Sequence, residues 1–311
     1  MQRRKIAVVG AGNVGAATAH LAALRNLGDI VLVDVVKGLA EGKALDIRQS
    51  AGVFPFAADV TGTADWEAIA DSDVVFITAG VPRKPGMSRD DLVGRNTEIV
   101  RSVAGHVARL CPRAFVIVVC NPLDAMTYAA AKVTGFDKCK VAGMAGVLDS
   151  ARFASFIARE LHVDVGDVQG VLMGGHGDDM VPLPRYTCVA GVPVTELIAP
   201  DRLAALVDRT RKGGIEIVNL LGYSAYYAPA AGAVKMAEAV VFNQRRLMSC
   251  CAWCRGEYGI KDAFVGVPVI LGSQGVEKVV VLDLTAAERE ELRISAAHVQ
   301  ELVVQVDKLL A

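Results

Sequence analysis

KIAVVGAGNVG, residues 5–15, decides how the rest of the chain is read. A short run of β-branched and small apolar residues stops at a glycine, and a helical pattern, AATAHLAALRNL (16–27), follows. Between them stands Gly10-Ala11-Gly12-Asn13-Val14-Gly15, a G-x-G-x-x-G fingerprint in the strand-to-helix context that gives it meaning. Gly10 permits the tight turn, Gly12 lets a pyrophosphate approach the backbone, and Gly15 lets helix and strand pack closely. The helix N-terminus then offers unpaired N–H groups and a partial positive charge to phosphates. Asp34 closes the next apolar run, DIVLVD, 19 residues beyond Gly15, where a carboxylate accepts the two ribose hydroxyls of an adenosine. The same carboxylate repels a 2′-phosphate, so the expected cofactor is NAD rather than NADP. Lys37 nearby tempers that preference.

Outward from this stretch the pattern repeats. Apolar runs at 5–10, 29–34, 73–79 and 114–120 alternate with helical patterns at 16–27, 38–49 and 96–110. Strands alternating with helices predict βαβ units, hence an α/β fold with a Rossmann-type, doubly wound parallel sheet covered on both faces. Near residue 145 the rhythm changes. Helical segments at 148–162 and 200–222 flank hairpin-like stretches, VQGVLMGGHGDDMVPL and LMSCCAWCRGEYGIKDAFVGVPVILG. The last helix opens on Thr285-x-x-Glu288, a capping-box pattern, and carries a stripe of Leu292, Val299, Leu302, Val303 and Val306. The expectation is a nucleotide-binding domain over 1–145 and a second, α+β catalytic domain over 146–311.

Composition narrows the function classes. The 311 residues carry a net charge of −1, so no global field favours nucleic acid or an anionic membrane, and anion recognition has to be local. Apolar runs such as AFVIVVC are far too short to span a bilayer. The basic start MQRRK resembles a leader, but only IAVV follows before glycine interrupts, so a first strand and a cytoplasmic protein are expected. Seven scattered cysteines (111, 120, 139, 188, 250, 251, 254) suit a reducing compartment. Cys251-x-x-Cys254 falls in a strand-like run, where residues three apart face opposite ways, and no second Cys/His pair completes a metal site.

Chemistry-bearing residues gather elsewhere. His176 sits in GGHGDD, a glycine-flanked turn that exposes an imidazole to a cleft, whereas His20, His106, His162 and His298 fall in helical patterns. Asp149 and Arg152 in LDSARF are three apart at a helix start, on one face, placed to orient an imidazole and to clamp a carboxylate. Asn121 in VVCNPLD lies just past a strand's carboxyl end, where open parallel sheets bind ligands. The loop AGVPRKPGMSRDDL (79–92) carries Arg83, Lys84 and Arg89 just past the end of an expected strand.

GAGNVG, Asp34, AGVPRKPGMSRDDL, Asn96, VCNPLD, LDSARF and GGHGD occur in the order found in the lactate/malate dehydrogenase family, and the chain resembles that family from near residue 4 to its last helix. It looks closest to the bacterial members that oxidise malate. The resemblance implies reversible, NAD-dependent hydride transfer between malate and oxaloacetate. It implies His176 as the proton acceptor or donor, Asp149 holding its tautomer, Arg152 on the C1 carboxylate and Arg89 polarising the reacting carbonyl. Asn121 would touch substrate and nicotinamide, while Asn96 and the Val119 backbone would line the cofactor site. In the family an Arg at the Arg83 position goes with dicarboxylates and Gln with lactate. Pyruvate would leave a buried Arg83 unpaired, at a cost of roughly 3–5 kcal/mol. Lys84 is read as a solvated neighbour. The segment EGKALDIRQS resembles the family's subunit-contact helix, implying a homodimer or homotetramer. The rival readings are a lactate or other 2-hydroxy acid dehydrogenase, and a non-catalytic NAD-binding redox regulator.

Overall fold

The computed structural model describes residues 3–82 and 89–311, with Arg89 and Asp90 described by their backbone alone. The first half runs β1 (Lys5–Val9), α1 (Asn13–Leu24), β2 (Asp29–Val33), α2 (Leu39–Ser50), β3 (Val60–Thr63), β4 (Val74–Ile77), α3 (Arg89–Leu110), β5 (Phe115–Val118), α4 (Leu123–Thr134) and β6 (Val141–Gly143). The second half opens with α5 (Gly146–Leu161), β7 (Val168–Gln169), β8 (Leu172–Gly174), β9 (Met180–Pro182), β10 (Cys188–Val189), β11 (Val192–Pro193) and α6 (Val194–Leu197). It closes with α7 (Pro200–Leu221), α8 (Tyr227–Val241), β12 (Arg246–Arg255), β13 (Lys261–Gly272), β14 (Gly275–Val279) and α9 (Ala286–Leu310).

The six strands of the first half are parallel in the order β3-β2-β1-β4-β5-β6, and the order reverses between β1 and β4. Ile6, Val8, Phe76 and Ile117 bury into one face, while Ala7, Val9, Val75, Ile77, Val116 and Val118 bury into the other. Burial on both sides is why these strands read as unbroken apolar runs. The sheet continues into the second half. β12 joins β6 through the Cys251–Gly143 pair, and β13, β8 and β9 follow antiparallel. Cys250 and Cys254 point into one core and Cys251 into the other, so β12 separates the C-x-x-C thiols across the sheet. Among the described residues no acid, His and Cys cluster could hold a metal, and no helix is long and apolar enough to cross a membrane.

Two helices, α4 and α8, were not among the expected elements. In α4 nine of the twelve residues are buried, and α8 is an alanine-rich segment with nine of fifteen buried. α3 begins at Arg89, seven residues before the helix expected at 96–110, so the end of the AGVPRKPGMSRDDL loop is helical. The capping box of α9 forms as expected: the Thr285 side chain accepts from the Glu288 N–H and the Glu288 carboxylate accepts from the Thr285 N–H.

The β1–α1 turn is the tightest contact in the first half. A Cβ added to Gly15 would lie 1.7 Å from the Gly10 carbonyl oxygen, and one on Gly10, whose φ is +104°, would lie 2.6 Å from the Ala79 nitrogen. Helix α1 therefore rests directly on the turn, and the turn rests on the end of β4. Gly15→Ala is expected to cost about 1–3 kcal/mol as backbone shifts to admit the methyl group, read as a lowered urea midpoint at unchanged slope.

Candidate active site

At the carboxyl ends of β1, β4 and β5, side chains tie successive loops together. The Thr78 hydroxyl lies 3.0 Å from the Val9 carbonyl and 2.9 Å from that of Gly10. Asp34, at the end of β2, accepts from the Ala11 N–H at 2.6 Å and from the Val36 N–H at 2.9 Å, which holds the glycine turn against the neighbouring strand. Helix α1 has no side-chain cap, and a Cβ on Gly12 would meet nothing within 4 Å, whereas Gly10 and Gly15 are hemmed in. The fingerprint thus has two glycines required by packing and one that faces open space. An uncapped helix N-terminus beside open space, with a carboxylate at the end of β2, suits the phosphates and ribose of a dinucleotide. Asn13 and Val14 open α1 beyond that space.

Asn96 is fully buried in α3, and its amide is spent inside the protein. Its oxygen accepts from the Val81 N–H at 2.8 Å, while its nitrogen donates to Val81 O at 3.1 Å and Asn121 O at 2.6 Å. It therefore pins the loops that follow β4 and β5 to each other. Val119 is buried directly after β5, its N–H bonded to Ile77 O, and Asn121 is exposed two residues later.

The second half supplies an acid–base cluster. His176 occupies the β8–β9 turn between Gly174 (φ +82°) and Gly177 (φ +101°), a backbone path that glycine follows at little cost. Its Nδ1 lies 2.9 Å from Asp149 Oδ2, and Asp149, in the first turns of α5, is 2% exposed. A carboxylate at that distance assigns the proton to Nδ1 and leaves Nε2 for a substrate. Burial pulls the imidazole's pKa down, but the charge and hydrogen bond of Asp149 outweigh it, so the proton is held above the ordinary histidine value.

Arg152 lies one turn along α5, its side chain 13% exposed and Nη1 3.4 Å from Asp149 Oδ1. Its Nε is buried and, among the described residues, without a hydrogen-bond partner. Desolvation lowers the guanidinium's pKa against the opposing charge of Asp149. A buried donor left unpaired inside the protein is costly, and an anionic ligand would satisfy it. Sequence reading missed the seat of this cation. Gly213 and Gly214 in the middle of α7 face it, and a Cβ on Gly213 would come 3.2 Å from Arg152 Cδ. Two consecutive glycines inside a helix of 22 residues were the available signal. Asp124 of α4 was also missed, although VVCNPLD contains it. Its Oδ2 accepts the His176 main-chain N–H at 2.8 Å.

The other histidines take packing or surface positions. His106 stacks on Trp66, His162 ends α5 in a left-handed conformation, His298 pairs with Asp179, and His20 lies within α1. Arg83 and Lys84 lie outside the described residues. Arg89 is the first residue of α3, and its side chain likewise lies outside the description.

With this geometry in place, comparison with known proteins is decisive. The description "lactate/malate dehydrogenase, NAD binding domain" matches residues 4–143, and "lactate/malate dehydrogenase, alpha/beta C-terminal domain" matches residues 146–309. The chain belongs to the lactate/malate dehydrogenase family. Among its relatives, the malate dehydrogenase of Sorangium cellulosum is 55% identical over 300 residues, covering 96% of each chain. That of Rhodopirellula baltica is 52% identical over the full length of both. The solved malate dehydrogenase of Salinibacter ruber superposes with a TM-score of 0.94 at 50% identity, covering 98% of each chain. A lactate dehydrogenase of Cryptosporidium parvum, solved with lactic acid and nicotinamide adenine dinucleotide, superposes at 0.95 with 43% identity over 99% of each chain. Both branches of the family share this backbone, so the choice of acid has to reside in side chains.

The imidazole's proton affinity depends on its carboxylate partner. Asp149→Asn removes the larger of the two carboxylate charges that raise the His176 pKa, against which burial acts to lower it. The imidazole of this variant is expected to titrate at lower pH than in the parent, followed by the pH dependence of its NMR shifts.

Proposed function

We propose that the protein is an NAD-dependent malate dehydrogenase that interconverts (S)-malate and oxaloacetate. One observation carries the reading: an imidazole bound to a buried carboxylate, beside a buried guanidinium whose Nε is unpartnered among the described residues. Identity of 51–55% to malate dehydrogenases over nearly the whole chain supports the choice of acid, as does Arg83 in the loop after β4.

When bound, the dinucleotide supplies or accepts the hydride at C2 of the substrate. Gly12 and the N-terminus of α1 receive its phosphates, Asp34 its adenosine ribose, and the pinned loops at Val119 and Asn121 its nicotinamide end. Arg152 pairs with the C1 carboxylate and completes the hydrogen bonding of its own guanidinium. In reduction, negative charge grows on the C2 oxygen, and Arg89 stabilises it more strongly in the transition state than in the ground state. The imidazolium donates the proton from Nε2 to that oxygen. In oxidation the neutral imidazole accepts it. Asp149 keeps Nδ1 protonated throughout, so the same nitrogen always faces the substrate. Arg83 meets the C4 carboxylate, which pyruvate lacks. We place the division between the nucleotide-binding and catalytic domains at residue 145, and read the protein as a cytoplasmic homodimer or homotetramer. The exposed Leu45, Val53 and Phe54 on and just after α2 support association through that helix.

Several measurements bear on this reading. Oxaloacetate reduction, followed at 340 nm, should greatly exceed pyruvate reduction in the parent, and Arg83→Gln should invert the order; unchanged kcat/KM for both acids would remove Arg83 from the site. His176→Asn should bind NADH normally but turn over at least about a hundredfold more slowly. Because the imidazolium is the acid in reduction and its pKa is raised, reduction should hold through neutrality and fall as pH rises past that pKa. Malate oxidation should rise over the same interval. Gly12→Ala should leave the unfolding midpoint in place, since its Cβ meets no protein atom, yet weaken NADH binding by roughly tenfold or more.

A further inference from the structure

Asp149 is not the only carboxyl beside the histidine. Asp124, in the first turn of α4, is 5% exposed. Its Oδ2 accepts the His176 N–H at 2.8 Å, and the Cys251 thiol lies beside the same carboxyl. A buried carboxylate is expensive in a protein interior, and a backbone N–H needs only a neutral acceptor. An asparagine or a serine would anchor the turn at less cost, so the negative charge itself calls for a reason.

The surroundings supply one. Asp124 faces His176 from α4, while Asp149 and Arg152 face it from α5. The Cys251 thiol of β12 faces the Asp124 carboxyl from below. On the far side of the turn, α9 contributes Ser295, whose hydroxyl accepts the Gly175 N–H at 2.7 Å, and His298, which pairs with Asp179. Among the described residues, two carboxyls and one guanidinium face the imidazole, and the second carboxyl adds to the negative charge that favours its protonated form.

We propose that Asp124 is a positioning residue for proton transfer, holding the main chain of His176 through one oxygen and keeping negative charge behind the imidazole that favours its protonated form. This rests on the role given to His176 above. Burial pushes the Asp124 carboxyl up, opposed by the His176 N–H, the Cys251 thiol and the charge of His176. Asp124 and His176 therefore stabilise each other's charged forms. The ion pair exists while His176 is protonated and is lost as that proton leaves.

Asp124→Asn and Asp124→Ala separate the two functions. The asparagine keeps an acceptor for the His176 N–H and removes the charge. Its oxaloacetate reduction should fall off at a pH lower by about half a unit or more, with KM for NADH unchanged. The alanine also frees the turn, and its kcat should drop by about tenfold beyond that of the asparagine variant. NMR titration of the His176 imidazole in parent and Asp124→Asn should show the same downward displacement without reference to turnover. A purely structural aspartate would lower the unfolding midpoint and leave both pH readings where they are. Superimposable profiles and titrations, or an upward displacement, would overturn the proposal. If the alanine variant fails to fold, the asparagine variant decides alone. A parent enzyme inactive on oxaloacetate would instead refute the functional reading, and the imidazole titration would still judge Asp124.

Discussion

The hydrogen bond between His176 Nδ1 and Asp149 Oδ2 joins two elements that are 27 residues apart in the chain, and much of the second half is arranged to make it possible. Asp149 is almost wholly removed from water, so its charge needs partners within the protein. It finds them in the imidazole on one oxygen and Arg152 on the other. For the imidazole to arrive there, the β8–β9 turn passes through positive φ on both sides of it, at Gly174 and Gly177. For Arg152 to stay buried at its distance, α7 gives up a side chain at Gly213. Each of these features weakens local structure taken alone. Together they hold three charges in one pocket.

That pocket is coupled to the nucleotide-binding half by a short path of hydrogen bonds as well as by the apolar cores that both halves share. Val81, after β4, is held by Asn96, which also holds the Asn121 carbonyl after β5. Three residues on, Asp124 accepts the main-chain N–H of His176, whose ring meets Asp149. The carboxyl ends of the parallel strands and the His176 imidazole are thereby fixed in one frame. Such registration suits hydride transfer, in which donor and acceptor carbons have to meet while a proton moves to the adjacent oxygen. The family's two activities use the same frame, as the superposition on both malate and lactate dehydrogenases indicates.

Much of this architecture could be read along the chain because it rests on local rules. The strands of the parallel sheet read as apolar runs because both their faces are buried, the α9 start because Thr285 and Glu288 cap each other, and the β1–α1 turn because only glycine fits against the Gly10 carbonyl and the end of β4. His176 stood out through its glycine neighbours, and Asp149 and Arg152 through their spacing on one helix face. In each case the constraint acts within a few residues, so it leaves a mark on the residues themselves.

What the fold alone decided acts between residues far apart in sequence. Nothing near Asp124 shows that its carboxyl meets a main chain 52 residues later, and nothing near Gly213 shows that a cation from α5 fills the space it leaves. Helices α4 and α8, most of whose residues are buried, went unmarked. Asn96 was expected to line the cofactor site, and only the fold shows that its amide also ties two loops of the protein together. Sequence by itself determined the kinds of chemistry available, since side-chain identity sets charge, acidity and local backbone freedom. Which carboxyl faces which imidazole was left to tertiary packing, because burial and distance set the strength of those charges and exist only once the chain has folded.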